Sequence, residues 1–261
     1  MTTNSKKYLS TTLLKGMNVL AAFTYEKQLL TLTELSVHTG IDKATCTRLT
    51  KTFLHLGYLG RDENKKFYLE PRVLRFGFAY LNGSELRNLG KNHLKALSME
   101  TGCTVNMSVL DDTDILIICR NEVKQSLRQT IAEGVHLPAY CTAQGKVLLA
   151  NINETLAMDK YKRSEVKRYT ENTICTEDAF LEELRKIRQQ GYGICNQEYD
   201  YSFSAVAAPI FNHTGEIAAS MSLVYQPQAT SEEELQKLAG KIVAAAQNLS
   251  FLLGFNAPKI N

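Results

Sequence analysis

The residues best placed for chemistry lie on one face of a helix expected to begin near residue 43. Ala44, Thr47, Arg48, Lys51 and His55 fall on that face: small, polar or basic, without one acid. Short hydroxyls and cations on a narrow helical face suit the DNA major groove, with Thr45, Thr47, Arg48 and Lys51 positioned to enter it. Arg61, Lys65 and Lys66 follow around the turn Asp62-Glu63-Asn64. Cations there would hold phosphates or probe an adjacent minor groove.

The stretch from Leu29 to Glu70 must supply the scaffold. Thr33 is expected to cap a first helix, Glu34 to Thr39, with Gly40 as its stop. Asp42 caps a second helix reaching about Leu56, closed by Gly57, and Cys46, Leu49, Phe53 and Leu56 form its buried face. Tyr58 to Arg61 and Lys65 to Leu69 then read as a hairpin, the wing of a winged helix-turn-helix. Before them, Thr12 to Phe23 reads as a packing helix with Leu13, Met17, Leu20 and Ala21 on one face. Its Lys15 is either solvated or near a phosphate. This periodicity alone also describes an ordinary small helical domain. Charge separates the two readings: residues 1–80 carry twelve Lys or Arg against six Asp or Glu, while the other 181 residues carry eighteen against twenty-one. A basic head on a mildly acidic body is expected if only the head meets phosphate.

Length and composition agree with one small domain plus one of ordinary size. The 261 residues are 44% hydrophobic and 22% charged, enough apolar material for two cores. No run approaches the roughly 18–20 apolar residues of a membrane span, and the start lacks a signal-peptide core. Cys46, Cys103, Cys119, Cys141, Cys175 and Cys195 show no CxxC spacing, so neither a zinc site nor a disulfide framework is expected. The expected setting is the cytoplasm, with no membrane, metal or cofactor.

Pro71 opens a helix, RVLRFGFAYL, apolar nearly all round and broken at Asn82-Gly83. Such a helix must be covered, between domains or against a second subunit, so it reads as a linker and part of a dimer interface. From Ser84 the pattern becomes α/β: a helix from Ser84 to Glu100 stopped at Gly102, then strands Thr104 to Leu110 and Ile115 to Arg120. The turn Asp111-Asp112-Thr113-Asp114 lacks the glycine and distal glutamate of a calcium loop. A strand at Leu127 to Ala132 is followed by a helix capped by Thr142, and helices near Asn153 to Tyr161 and Glu177 to Gln190. Strands at Tyr192 to Glu198, Phe203 to Phe211 and Glu216 to Tyr225 precede a closing helix capped by Thr230 or Ser231 and reaching about Leu253. A single sheet framed by helices is expected, with no Walker or GxGxxG sequence for a nucleotide. Backbone amides from Ala143 to Gly145, at a helix start, form a seat for a carboxylate, and His136, Tyr140 and Gln144 could add directional hydrogen bonds. Cys141 beside His136 invites a nucleophile reading, but nothing near them orients the pair.

Taken together, LTELSVHTGIDKATCTRLTKTFLHLGYL with its wing, LPAYCTAQGKVLLA, IRQQGYGICNQE and AVAAPIFNHTGEIAASMSLV resemble the IclR family of bacterial transcriptional regulators. The resemblance implies an α+β chain: a winged helix-turn-helix over 1–70, a linker helix over 71–83, and a GAF-like effector-binding and oligomerisation domain over 84–261. It implies double-stranded operator DNA as partner, a small organic-acid or aromatic carboxylate effector, a homodimer or homotetramer, and control of catabolic genes. Its recognition helix falls on Lys43 through Lys51, with Thr45 and Arg48 at the most characteristic positions. Its effector pocket falls on Leu137, Ala143, Gln144, Cys195, Phe203, Ala205 and Ser222, with Gly145 added by the helix-start argument. Strand packing accounts equally well for Cys195 and Ser222. Family members that take small keto acids carry more polar groups at the positions of Cys195, Ala205 and Val224, which points here to a larger or aromatic effector. Two other readings stay open: a small-acid enzyme, for which no paired carboxylates or activated nucleophile are evident, and a constitutive DNA-binding protein whose second domain only oligomerises.

Overall fold

The computed structural model describes residues 8–122, 131–202 and 204–256. The chain divides into two compact units, Met1–Tyr80 and Leu81–Asn261.

The first unit begins with α1 (Thr11–Ala21), capped by Ser10. The face expected to be buried is not. Leu13 and Met17 are 65% and 56% exposed, while Gly16 and Val19 point inward. Gly16 faces Leu49 and Phe53 of a helix further along the chain, and a Cβ there would meet the Phe53 ring at 3.4 Å, an ordinary contact distance. α2 (Leu32–Thr39) starts earlier than expected and is capped by Thr31, not Thr33. Thr31 Oγ1 accepts from the Glu34 amide at 3.2 Å, and Glu34 Oε2 accepts from the Thr31 amide at 2.7 Å. Thr33 has no glutamate three residues on, so only Thr31 can close this reciprocal box.

α3 (Lys43–Leu56) is capped by Asp42 and stopped at Gly57, whose φ of +72° suits glycine. Its inward face is turned from the expected one: Cys46 and Thr50 are buried, Leu49 and Phe53 pack at the edge, and Leu56 is 42% exposed. Thr50 is tolerated inside because its hydroxyl donates to Cys46 O at 2.9 Å. β1 (Leu59–Arg61) and β2 (Phe67–Leu69) pair antiparallel, and Leu30 bridges to Phe67. After a 3-10 turn at Pro71–Val73, α4 (Leu74–Gly83) runs through Asn82-Gly83 rather than breaking there. None of its residues is buried within the single chain; Leu74, Phe76 and Phe78 are largely exposed.

The second unit is a three-layer arrangement. α5 (Glu85–Thr101), capped by Ser84, leads into β3 (Thr104–Asp111), β4 (Asp114–Asn121) and β5 (His136–Pro138). The expected strand Leu127 to Ala132 lies mostly outside the described residues, and Ile131 and Ala132 are not in a strand. α6 (Ala143–Ala150), α7 (Glu154–Arg163) and α8 (Glu177–Gln190) follow, then β6 (Gly193–Asn196), β7 (Ser204–Phe211), β8 (Ile217–Tyr225) and α9 (Glu232–Leu252), capped by Ser231. The six strands form one sheet in the order β5-β4-β3-β8-β7-β6, antiparallel throughout.

Strand alternation divides the burial between two cores. Val105 and Met107 face α5 and α9, joined by Leu94, Leu97, Ile242 and Leu249. On the other face Tyr140, Val147, Phe180, Leu184 and Ile187 from the α6–α8 side pack against Ala205 and Ala207. Asn106, opposite Arg120 on β4 and Ser222 on β8, belongs to this second face.

Candidate DNA interface and effector cavity

On α3 the expected DNA-facing side chains are presented outward. Lys43, Ala44, Arg48, Lys51 and His55 are exposed, while Thr45 and Thr47 are half-buried. The Thr47 hydroxyl donates to Lys43 O at 2.7 Å, which leaves its oxygen as an acceptor. The helix entry is set by Asp42 Oδ1, which accepts from the Thr45 amide at 2.9 Å. That hydrogen bond keeps the Asp42 carboxyl below the usual carboxylate range.

The wing is held by its own residues. Lys65 adopts φ +63°, its amide donating to Asp62 O at 3.1 Å, and Asp62 Oδ1 accepts from the Lys66 amide at 2.7 Å. Arg61 is only partly committed to solvent: its guanidinium sits 5.3 Å from the Phe67 ring centroid. Lys65 is exposed at the tip and Lys66 is half-buried beside it.

In the second unit a cavity lies between the start of α6 and the sheet. It gathers six of the expected residues: Leu137, Ala143, Gln144, Cys195, Ala205 and Ser222. Phe203 lies outside the described residues. Gly145 does not line the cavity; its amide donates to Thr142 Oγ1 at 3.2 Å. A Cβ on Gly145 would come within 2.2 Å of Ala139 O, so glycine lets α6 seat on the turn before it. Ala143 and Gln144 are then the first two helical residues, and their amides are at the end where a helix favours negative charge.

Sequence reasoning missed the charged member. Arg120, on β4, lines the cavity with a side chain only 8% exposed. Its Nη1 donates to Asn106 Oδ1 at 2.9 Å and its Nη2 to Glu122 Oε1 at 3.1 Å. A strand-end arginine reads as solvated; only the pairing of Arg120 with Asn106 and Ser222 across three strands turns it inward. Ile115, Ile117 and Val224 add apolar wall and Tyr199 a further polar tip.

The other polar candidates are occupied elsewhere. His136 pairs with Asp111 at 2.7 Å, and the Tyr140 hydroxyl donates to Lys167 O and accepts from its amide, both at 2.8 Å. Cys141 is buried, and burial first, then the Cys195 thiol, pushes its own thiol well up, so it has no nucleophilic partner in His136. Burial, reinforced by the charge of Glu198, pushes the Cys195 thiol up to about 11. Both thiols stay protonated at neutral pH. Among the described residues no cluster could hold a metal ion, and no helix is long and apolar enough to cross a membrane.

Comparison with known proteins gives the family. Residues 12–63 match the IclR helix-turn-helix domain, and residues 78–251 match the family described as bacterial transcriptional regulator IclR C-terminal. The p-hydroxybenzoate hydroxylase transcriptional activator of Acinetobacter baylyi is 32% identical over 241 residues, covering 90% of this chain and 88% of that protein. The HTH-type transcriptional regulator KdgR of Escherichia coli is 31% identical over 244 residues, covering 93% and 92%. An IclR homologue from Microbacterium hydrocarbonoxydans, solved with 4-hydroxybenzoate, shares the fold at a TM-score of 0.76 and 19% identity, covering 93% of this chain and 99% of that one. These relatives are regulators and not enzymes, and with both domain matches in chain order, this chain belongs to the IclR family of bacterial transcriptional regulators.

Proposed function

We propose that this chain controls a catabolic gene set, binding operator DNA through α3 and the wing and answering to a small carboxylate held in the cavity of the second unit. The observation that carries this reading is Arg120: a nearly buried guanidinium facing a largely apolar cavity at the start of a helix. Helix-start amides favour an anion, the Arg120 guanidinium lines the same space while paired with Glu122, and walls from Ile115, Ile117, Leu137 and Val224 favour an apolar body on it. An aromatic carboxylate has both parts. The relatives support the class, since one activates a p-hydroxybenzoate hydroxylase gene and another fold neighbour was solved with 4-hydroxybenzoate. Two heads in a homodimer or homotetramer would read a two-fold operator, and the protein would work in the cytoplasm.

The test pairs a melting curve with DNA-binding anisotropy, using DNA upstream of the protein's own gene. A bound acid at a hundredfold its Kd adds about 2.7 kcal/mol of stability. Arg120→Met should abolish that gain and the acid's effect on DNA affinity, while leaving affinity without acid unchanged. If no aromatic or aliphatic acid stabilises the wild-type protein, the effector reading fails and the oligomerising reading of the second unit takes its place.

A further inference from the structure

Gln144 is 5% exposed and reaches from α6 down to the sheet. Its Nε2 donates to Asn106 O on β3 at 3.2 Å and to Ser220 O on β8 at 3.1 Å. Both amide hydrogens are therefore committed to protein carbonyls. The opposite amide orientation would set Oε1 against two carbonyl oxygens, so the network itself fixes which atom is nitrogen. What the side chain has left for a ligand is Oε1, an acceptor.

Its surroundings make that acceptor selective. The Thr142 hydroxyl donates to Pro138 O at 3.2 Å and the Cys195 thiol to Cys141 O at 3.3 Å, so neither hydrogen is directed into the cavity. Arg120 is purely a donor. Asn106 gives its Oδ1 to Arg120, which leaves its Nδ2 hydrogens for a ligand. The amides at the start of α6 donate as well. Ser222 carries a hydroxyl that serves either way. A carboxylate satisfies the donors but offers nothing to Gln144 Oε1, and an acceptor desolvated without a partner weakens binding.

We propose that Gln144 selects effectors that carry a hydroxyl donor in addition to the carboxylate. This rests on the assignment of the cavity as the effector site. A hydroxylated aromatic acid satisfies both halves of the cavity, whereas its unsubstituted parent satisfies one. Sites built around a ligand hydroxyl discriminate strongly against the analogue that lacks it.

Titration calorimetry on the wild-type full chain decides the matter, with matched acids as probes: benzoate, its 3- and 4-hydroxy derivatives, and 4-fluorobenzoate, which fills space without donating. At least one hydroxybenzoate should bind about tenfold or more tightly than benzoate and 4-fluorobenzoate. Gln144→Met should bring that ratio close to one. Binding of all four acids within about twofold of one another overturns the role of Gln144 while leaving the cavity as an acid site. Failure of every acid to bind overturns both the role and the site. Should Gln144→Met not fold, the wild-type ratios still decide.

Discussion

Lys146 Nζ lies 2.5 Å from Glu198 Oε1, and it reaches Glu183 Oε1 at 2.8 Å and Ile194 O at 2.6 Å. One buried ammonium thus ties α6 to α8, to β6 and to the chain just beyond β6. Burial acts to lower its pKa, but the charges of Glu198 and Glu183 outweigh that and hold it above the ordinary lysine range. Burial holds Glu198 above the usual carboxylate range, and its Oε2 has no hydrogen-bond partner among the described residues. Tyr199, the next residue, lines the cavity, so this ion cluster anchors part of the cavity wall.

Removing one partner of such a cluster leaves charge stranded in the interior. Lys146→Met is expected to cost about 3–5 kcal/mol of stability in urea denaturation, and adding Glu198→Gln should recover part of it. If Lys146→Met costs less than about 1 kcal/mol, the cluster is not what holds these elements together.

Alkaline pH should weaken the second unit through Cys195. Its folded pKa of about 11 lies above the ordinary thiol value of 9.0, so the folded state keeps a proton that the unfolded state has already lost. The stability is therefore full below pH 9 and declines as pH rises through 11. Chemical denaturation at stepped pH should show this fall, and Cys195→Ala should flatten it. An unchanged slope in that variant would assign the decline to the Cys141 thiol, which burial also pushes up, and to Tyr161 and Tyr225, which burial pushes up to about 12.

Much of this was legible in the sequence, and the misses share a cause. Asp42, Ser84, Thr142 and Gly57 act as expected because caps are local: a side chain meets an amide a few residues away. Faces are not local. Leu13 and Met17 look buried by periodicity, yet Gly16 and Val19 take that side, because which face a helix turns inward is decided by the elements packed on it. Leu56 loses its place to Thr50, a polar residue whose hydroxyl is satisfied within its own helix. In the cavity, Leu137, Ala143, Gln144, Cys195, Ala205 and Ser222 could be placed by motif, whereas Arg120 and Asn106 could not. Their juxtaposition depends on register between β3 and β4, which no short motif carries.

The residues proposed to meet DNA should separate by contact type. Arg48→Ala is expected to weaken operator binding by about 1–3 kcal/mol and relax specificity. Lys65→Ala should weaken all sequences alike and reduce the salt slope by about 1. Anisotropy across a salt series on operator and scrambled DNA measures both. Identical behaviour of the two variants would remove Arg48 from the base edges.

The outward apolar residues of α4 call for a covering surface. Leu74 and Phe78 are each 70% exposed, on a helix without a single buried residue. A second copy of the chain is the expected cover, so Leu74→Glu with Phe78→Glu should lower the mass found by sedimentation. The same mass as wild type would place the subunit contact elsewhere.

All eight residues of α6 are buried. A helix with no outward side has no position at which mutations can accumulate harmlessly, so changes to the cavity it lines cannot arise there one neutral step at a time. Innovation is left to the strand residues that oppose it, notably Val224 and Leu137, which are only partly buried. A laboratory library meant to retune the cavity should therefore vary the sheet and, on the helix, Gln144 alone.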